Sequence, residues 1–256
     1  MLILVSNDDG IHAPGINALR TALEKYGDVY VVAPDRPRSA TGLGITIHKP
    51  LRADEINFPG SSAKGFAING TPSDCVKLGI QALLPNKPDI VVSGINLGPN
   101  LGTDVLYSGT VSAALEGVIN DVPSIAVSLA SWECTDFGYA ADFAAGLVKI
   151  VTGKGLPEET LLNVNIPVTK CGSKPPKVNV TRLGKRRYEN TFEKRLDPRG
   201  KSYWWMGGEV MDIQAEPDTD IASVKRGEVS VTPLLFDVTD HKFMDLIKEW
   251  DLNQIL

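Results

Sequence analysis

Short runs of apolar residues alternate with amphipathic stretches along the first half of the chain. Continuous apolar runs bounded by polar residues predict four buried strands, at residues 2–6, 29–33, 89–93 and 124–128. Apolar residues spaced three or four apart predict the helices between them, at residues 14–23, 72–83 and 111–119. Strands that are apolar throughout and alternate with helices are typical of a parallel sheet covered on both faces. This half of the chain is therefore predicted to have an α/β fold.

Two segments depart from that alternation. The stretch at residues 40–68 fits an inserted hairpin or excursion better than another strand–helix unit. Late in the chain the pattern changes to strands and long polar loops, with the clearest strands at residues 178–181 and 229–234. We therefore expect a main domain over residues 1–170 and a β-rich C-terminal extension over residues 171–256, which closes with a helix.

Composition and charge remove several classes of protein. Of the 256 residues, 43% are hydrophobic and 22% charged, which is ordinary for a globular protein with a core. The net charge of −5 gives no electrostatic support for nucleic-acid binding over the whole chain. No apolar run approaches the roughly 20 residues of a membrane span, and the N-terminus lacks the basic flank of a secretory signal. We therefore expect a cytoplasmic protein in which Cys75, Cys134 and Cys171 are reduced thiols.

Polar residues follow three of the predicted strands at the point where each strand ends. Asp8 and Asp9 follow the first strand, Ser39 belongs to the loop after the second, and Asn96 follows the third. If these strands are parallel neighbours, their ends meet at the edge where α/β sheets bind ligands. Carboxylate, hydroxyl and amide oxygens suit Mg²⁺, Mn²⁺ or Ca²⁺ better than zinc or copper. Alone, Asp9-Gly10 is also a common turn sequence, and it is the convergence that predicts a cation site.

A glycine-rich loop at residues 94–110 runs into a predicted helix. Ser108, Gly109 and Thr110 lie where the N-terminus of that helix offers unpaired N–H groups and the positive end of its dipole, an arrangement that binds anions. Thr110 can equally be a helix N-cap and nothing more. The chain lacks the Gly-Lys-Ser/Thr of a P-loop and a Gly-x-Gly-x-x-Gly after the first strand, which disfavours triphosphate and dinucleotide binding. A metal beside an anion site indicates hydrolysis of a phosphoryl group.

Several short motifs occur in order along nearly the whole chain. They are Asn7-Asp-Asp-Gly-Ile-His-Ala-Pro-Gly15, Pro34-Asp-Arg36 with Ser39, Gly70-Thr-Pro-Ser-Asp-Cys-Val76, Ser93-Gly-Ile-Asn96 with Tyr107-Ser-Gly-Thr110, Leu162-Asn-Val-Asn-Ile-Pro167, Asp197-Pro-Arg-Gly200 and Ser230-Val-Thr-Pro-Leu234. Together these motifs resemble the SurE (survival protein E) family of metal-dependent 5′-nucleotidases. Each motif alone is moderately specific, and the ordered set is a strong indication.

The resemblance implies a Rossmann-like domain, with a mostly parallel sheet and helices on both faces, and a C-terminal extension used in oligomerisation. It implies one divalent metal ion per subunit, Mg²⁺ or Mn²⁺, held by Asp8, Asp9, Ser39 and Asn96, with Asp8, Asp9 and Asn96 as the catalytic residues. The implied activity is hydrolysis of nucleoside 5′-monophosphates, with 3′-nucleotides and short polyphosphate as further substrates. Homodimers or homotetramers that exchange C-terminal segments are also implied. The nucleophile stays open, either a water activated by the metal or one of the two aspartates.

A basic arm, defined here as residues 182–205, stands out within the acidic chain. Residues 182–201 contain eight basic and three acidic residues, a local net charge of +5 that leaves −10 for the rest. Tyr188, Tyr203, Trp204 and Trp205 are interleaved or adjacent. Because basic and aromatic residues also hold single-stranded nucleic acid, a nucleic-acid-binding module and a purely structural arm are alternatives to the enzyme. We favour the enzyme, with a nucleotide substrate, an arm that serves assembly, and neither nucleic acid nor membrane as a partner.

Overall fold

The computed structural model describes residues 1–169, 174–189, 191–212 and 216–252. Within these ranges the strands are β1 (Leu2–Ser6), β2 (Asp28–Pro34), β3 (Ala53–Asn57), β4 (Lys64–Ile68), β5 (Ile90–Leu97), β6 (Ser124–Leu129), β7 (Thr160–Ile166), β8 (Val178–Val180), β9 (Arg186–Glu189), β10 (Phe192–Leu196), β11 (Ser202–Met206), β12 (Glu209–Asp212) and β13 (Val229–Leu235). The α-helices are α1 (Pro14–Leu23), α2 (Pro72–Leu78), α3 (Gly109–Ile119), α4 (Gly138–Lys154), α5 (Asp220–Lys225) and α6 (His241–Lys248). The expected domain boundary at residues 170 and 171, and with it Cys171, lies outside the described residues.

Nine strands form one sheet in the order β3-β4-β2-β1-β5-β6-β7-β13-β8. The strands from β4 to β7 run parallel to one another, while β3 is antiparallel to β4 and β13 is antiparallel to β7. The predicted α/β fold with a mostly parallel sheet is confirmed. The segment at residues 40–68 does contain a hairpin, β3–β4, and its second strand pairs with β2. The excursion therefore extends the main sheet.

Both faces of this sheet are covered by helices, because its strands direct alternate side chains to opposite faces. Ile3 and Val5 of β1 pack in one core cluster with Leu19 of α1 and the buried side of α4. Leu4, which lies between them, packs in a second cluster with Val76 of α2 and with α3. The two layers hold the parallel strands between them, so the loops at the strand ends are anchored by a rigid core.

Helix α2 shows how local sequence sets an element boundary. Thr71 Oγ1 accepts from the N–H of Asp74 at 3.1 Å, and the Asp74 carboxylate accepts from the N–H of Thr71 at 2.8 Å, which completes a capping box. The helix is shorter than predicted, because the α-helix ends at Leu78 and Gly79–Leu83 continues as a π-helical turn. Gly79 packs against the side chain of Leu4, and glycine weakens the interior of an α-helix.

Several elements are invisible in the sequence pattern. Helix α4 buries a row of small side chains, including Ala141 and Ala145, which give little contrast between its buried and exposed faces. The basic arm contains strands too: β10 pairs antiparallel with β11 and places Lys194 opposite Trp204, while β9 pairs antiparallel with β12, which lies just beyond the arm. The arm strands β9, β10 and β11 are short and largely exposed, so only the pairing identifies them. No helix in the described part of the chain is long and apolar enough to cross a membrane.

Candidate active site at the carboxyl edge of the sheet

Three strand ends meet at one edge of the sheet, as the sequence predicts. Strands β2, β1 and β5 are parallel neighbours, and the last residue of β1, Ser6, lies opposite Ser93 of β5. The loop after β2 is tied to the loop after β1, because the N–H of Arg38 donates to the carbonyl of Asp8 at 2.7 Å. Ser39 follows Arg38 and is exposed at the rim. Parallel pairing therefore gathers the three loops that carry the predicted metal ligands.

Asp8 is in direct contact with the N-terminus of helix α3. Its side chain is 6% exposed, and Oδ1 accepts a 2.6 Å hydrogen bond from the hydroxyl of Thr110, which is fully buried. Gly109 lies against the same carboxylate, since a Cβ placed on it would come within 2.7 Å of the Asp8 Cβ. A glycine is therefore required at the first position of the helix, because any side chain there would collide with Asp8. The contact joins the first predicted ligand to the predicted anion site.

The N-cap of α3 is Ser108, whose Oγ accepts from the N–H of Val111 at 3.1 Å. The alternative that Thr110 is only a cap is therefore wrong, because the Thr110 hydroxyl donates to Asp8. The Ser108 hydroxyl keeps its own proton for a further acceptor. The N–H of Gly109 lies in the first turn, where helices leave their N–H groups without an intrahelical acceptor. These are the donors that a phosphate oxygen can use.

Asp9 and Asn96 are held beside each other by the end of β5. The Oδ2 atom of Asp9 accepts from the N–H of Leu97, the residue after Asn96, at 3.2 Å. Asn96 is 8% exposed, and its Nδ2 donates to the carbonyl of Gly98 at 2.8 Å. That contact fixes the orientation of the amide and places Oδ1 on its other side. The structure thus collects carboxylate and amide oxygens from two adjacent strand ends.

Keeping both carboxylates, Asp8 and Asp9, ionised costs free energy unless a cation lies beside them. Burial raises the pKa of Asp8 to about 6; the hydrogen bond from Thr110 acts against this, and the neighbouring charge of Asp9 adds to it. Burial also raises the pKa of Asp9 above its ordinary value. Within the described ranges, no set of three or more acidic, histidine or cysteine side chains forms a metal cluster. A site here would consist of two carboxylates completed by neutral oxygens, a donor set that hard divalent cations accept.

Comparison with known proteins agrees with the geometry. Residues 3–190 match the family model of Survival protein SurE. The chain belongs to the SurE family. The resemblance drawn from the motifs is therefore confirmed, and the match includes every predicted site residue.

Similarity to individual SurE proteins extends over nearly the whole chain. A protein named 5′-nucleotidase SurE from Pelotomaculum thermopropionicum is 57% identical, over 97% of this chain and 95% of its own. A second of the same name, from Moorella thermoacetica, is 56% identical, over 95% of this chain and 93% of its own. The crystal structure of the Sure protein from Aquifex aeolicus superposes with a TM-score of 0.84 at 46% identity and covers 97% of this chain and 98% of that one.

In this SurE chain a buried group of asparagines holds the glycine-rich loop. The N–H of Asn100 donates to Oδ1 of Asn165 at 2.8 Å, and the Nδ2 atoms of Asn163 and Asn165 donate to the carbonyl of Asn100 at 3.0 and 2.9 Å. The Asn100 side chain donates to the hydroxyl of Ser128 at 2.8 Å. In the sequence, Asn163 and Asn165 belong to the motif Leu162-Asn-Val-Asn-Ile-Pro167, which assigns them no role of their own. Their alternation in an otherwise apolar strand is the signal that identifies them.

The C-terminal part of the SurE chain holds the other half of the loop. The buried Asp220 carboxylate accepts from the N–H groups of Gly102 and Gly184 at 2.7 and 2.8 Å. At the base of the arm, Nη1 of Arg186 lies 2.9 Å from Oδ2 of Asp104 in a mostly buried ion pair. Neither contact is predictable from the sequence, since nothing in the sequence pairs residues that lie so far apart. The loop before α3 is therefore clamped between strand β7 and the base of the arm.

Proposed function

We propose that the chain is a 5′-nucleotidase, which hydrolyses nucleoside 5′-monophosphates to nucleoside and phosphate. The observation that carries this proposal is the contact between the buried Asp8 carboxylate and the N-terminus of α3, at the edge where Asp9 and Asn96 converge. An anion site beside a pair of carboxylates suits a phosphomonoester bound together with a cation. The relatives named 5′-nucleotidase SurE, at more than 50% identity and nearly full coverage, support the same activity.

The donor set fits one divalent metal ion, Mg²⁺ or Mn²⁺, held by Asp8, Asp9, Ser39 and Asn96. Two acidic side chains with raised pKa values lie together, and a cation would offset the cost of keeping both ionised. Asn96 is oriented by its contact with Gly98 so that its oxygen is left for a ligand. When bound, such a metal would neutralise charge on the phosphate and lower the barrier to nucleophilic attack.

The residues of the chain then bind and orient the substrate. The N–H of Gly109 and the hydroxyl of Ser108 receive phosphate oxygens, and the positive end of the α3 dipole favours the dianion. Thr110 positions Asp8 through its hydroxyl, and its own place at the helix start keeps it within the phosphate site. Because these donors are fixed before substrate arrives, little reorganisation is needed as charge builds in the transition state. The nucleophile is either a water or one of the two aspartates.

We also propose a homodimer or homotetramer in which the C-terminal extension exchanges segments with a neighbour. Trp204 and Trp205 on β11 are 58% and 60% exposed, and Met206 beside them is 72% exposed. Large apolar side chains in a row on a two-stranded sheet are typical of a surface that another chain covers. A cytoplasmic location is part of the proposal, and the free thiols of Cys75 and Cys134 support it.

The test of the proposed function is phosphate release after chelation. The protein is treated with EDTA, dialysed, and assayed with Mg²⁺ or Mn²⁺ on nucleoside 5′-monophosphates, 3′-monophosphates and short polyphosphate. We expect activity on 5′-monophosphates to vanish on chelation and to return with metal. Asp9→Asn removes one of two carboxylate charges, so kcat/KM should fall about 100-fold or more. Asp54→Asn, at an exposed carboxylate on β3, is the matched control and should be unchanged. Full activity in the chelated protein or in Asp9→Asn would refute the assignment.

A further inference from the structure

An exposed tryptophan stands beside the candidate active site. Trp132 lies in the loop after β6 and is 72% exposed, although indole rings are large and are usually well buried. Its ring packs against Gly98, the residue whose carbonyl accepts the hydrogen bond from the Asn96 side chain. One residue and one hydrogen bond therefore connect the indole to a proposed metal ligand. The loops after β5 and β6 lie side by side because these strands are parallel neighbours.

The contact with Gly98 covers one face of the indole. A Cβ built on Gly98 would overlap the ring and would lie at nearly equal distances from three consecutive carbons, Cε3, Cζ3 and Cη2. Near-equal distances place that position over the face of the ring, since a position beyond its edge would be close to one carbon only. Gly98 also has φ +112°, a conformation that favours glycine. Because the side chain is largely exposed, the opposite face is open.

The backbone that carries Trp132 is fixed on both sides. The N–H groups of Gly98 and Ser131 both donate to the carbonyl of Leu129, at 3.0 and 2.8 Å. The Ser131 hydroxyl accepts from the N–H groups of Glu133 and Cys134, at 3.2 and 3.0 Å, and Cys134 packs against the main core. The indole is thus presented to solvent from an anchored turn.

From this placement we propose that Trp132 is the platform on which the base of the nucleotide stacks, a binding position that rests on the proposed 5′-nucleotidase function. Every base has a π-face, and aromatic side chains bind bases by stacking without reading their hydrogen-bonding edges. Through Gly98 and its hydrogen bond with Asn96, Trp132 is linked to the end of β5, at the edge of the sheet where the phosphate is proposed to bind. The platform therefore favours nucleotides over phosphomonoesters that lack a base, and discriminates weakly among the four bases.

The experiment compares Trp132→Ala and Trp132→Phe with the wild type on AMP and on ribose 5-phosphate, which lacks a base. In Trp132→Ala we expect KM for AMP to rise about 10-fold, within the range measured for loss of one stacking contact, with kcat nearly unchanged. KM for ribose 5-phosphate should not move. Trp132→Phe keeps an aromatic face and should restore most of the affinity for AMP.

A second measurement is independent of catalysis. Adenosine should quench the tryptophan fluorescence of the wild type on titration, and Trp132→Phe should lose most of that quenching. Three results would each overturn the proposed stacking role of Trp132. The first is an equal loss of kcat/KM on AMP and on ribose 5-phosphate, and the second is unchanged kinetic constants in Trp132→Ala. The third is a lower sedimentation coefficient in that variant. Failure of the proposed function is distinguishable, because it appears as no phosphate release by the wild type from either substrate.

Discussion

The candidate active site and the basic arm are built in opposite ways. At the site, Asp8 and Asn96 are 6% and 8% exposed; Asp8 accepts a hydrogen bond from Thr110 of α3, and the Asn96 side chain donates one to the carbonyl of Gly98 just after its own strand. On the arm, Trp204 and Trp205 are 58% and 60% exposed, and within the described residues their strand β11 pairs with β10 alone, in a two-stranded sheet. The site buries polar groups and the arm exposes apolar ones. A single chain can bury and pair the polar groups of the site. The exposed apolar side chains of the arm would be stabilised if another surface covered them.

The two regions also differ in what holds them. The glycine-rich loop is fixed by buried hydrogen bonds that its N–H groups donate to Asn165 and Asp220, groups that are expensive to leave unpaired. Strands β10 and β11 of the arm have exposed contacts such as the Arg195–Glu193 ion pair. Exposed ion pairs contribute little to stability in water. Changes at the site should therefore act at any protein concentration. Changes on the arm should act through assembly and depend on concentration.

Among changes that leave every proposed metal ligand in place, the largest effect is expected from Thr110→Val, which keeps the volume of the side chain and removes the hydrogen bond to Asp8. Loss of a contact that orients a metal ligand typically lowers metal affinity or activity 10- to 100-fold, so we expect about that loss in both. The loss should be the same at low and high protein concentration. Metal titration by calorimetry and steady-state kinetics measure it.

Thr110→Ser keeps the hydroxyl and serves as the matched control, with metal affinity close to that of the wild type. The free energy of unfolding of Thr110→Val should fall by no more than about 1–3 kcal/mol, the cost of one unmade buried hydrogen bond. Wild-type metal affinity and kcat/KM in Thr110→Val would show that the Thr110–Asp8 contact has no part in the site.

An intermediate effect is expected on the stability of the metal-free protein in Asp8→Asn. The pKa of Asp8 in the folded chain, about 6, lies above its ordinary value of 3.8, so ionisation destabilises the folded state. That destabilisation is complete above pH about 6 and disappears as pH falls toward about 4. At 1.36 kcal/mol per pKa unit, the neutral asparagine should stabilise the chelated protein at pH 8 by about 1–3 kcal/mol.

Urea unfolding in EDTA at pH 8 and pH 4 measures this difference, which should nearly vanish at pH 4. Asp54→Asn, at an exposed carboxylate, controls for the general effect of removing a charge and should show little change at either pH. The same Asp8→Asn variant should lack phosphatase activity, so stability rises where activity is lost. An Asp8→Asn protein less stable than the wild type at pH 8 would contradict the assigned cost of the buried charge.

The smallest effect is expected from Trp204→Ala combined with Trp205→Ala on the arm. Removing two exposed indoles should weaken assembly and lower activity a few-fold, more at low protein concentration, because dissociation follows mass action. Sedimentation velocity and kinetics across a dilution series measure both. Tyr26→Ala, at an exposed aromatic residue on the main domain, is the control and should leave the sedimentation coefficient unchanged. A fully active wild-type monomer at micromolar concentration would show that the arm is an ordinary solvated surface.

Sequence periodicity predicted the fold where burial is regular and failed where it is not. The strands β1, β2, β5 and β6 are buried along nearly their whole length, and each was predicted within a few residues. Helix α4 was missed because its buried side chains are small, and β10 was missed because all five of its residues are exposed. Periodicity reports burial, and it loses its signal where burial is slight or uniform.

The sequence by itself determined which strand ends meet at the candidate active site. Asp8 and Asp9 follow β1, and Asn96, predicted to follow a strand, lies in the last two residues of β5, because that strand runs further than predicted; parallel strands end at the same edge whatever their exact order. Only the tertiary structure decided how these side chains are oriented and supported. The bond from Thr110 to Asp8 joins residues 102 positions apart, and that from Gly102 to Asp220 joins residues 118 apart. Contacts of that kind depend on packing between elements, and local sequence preferences carry no information about them.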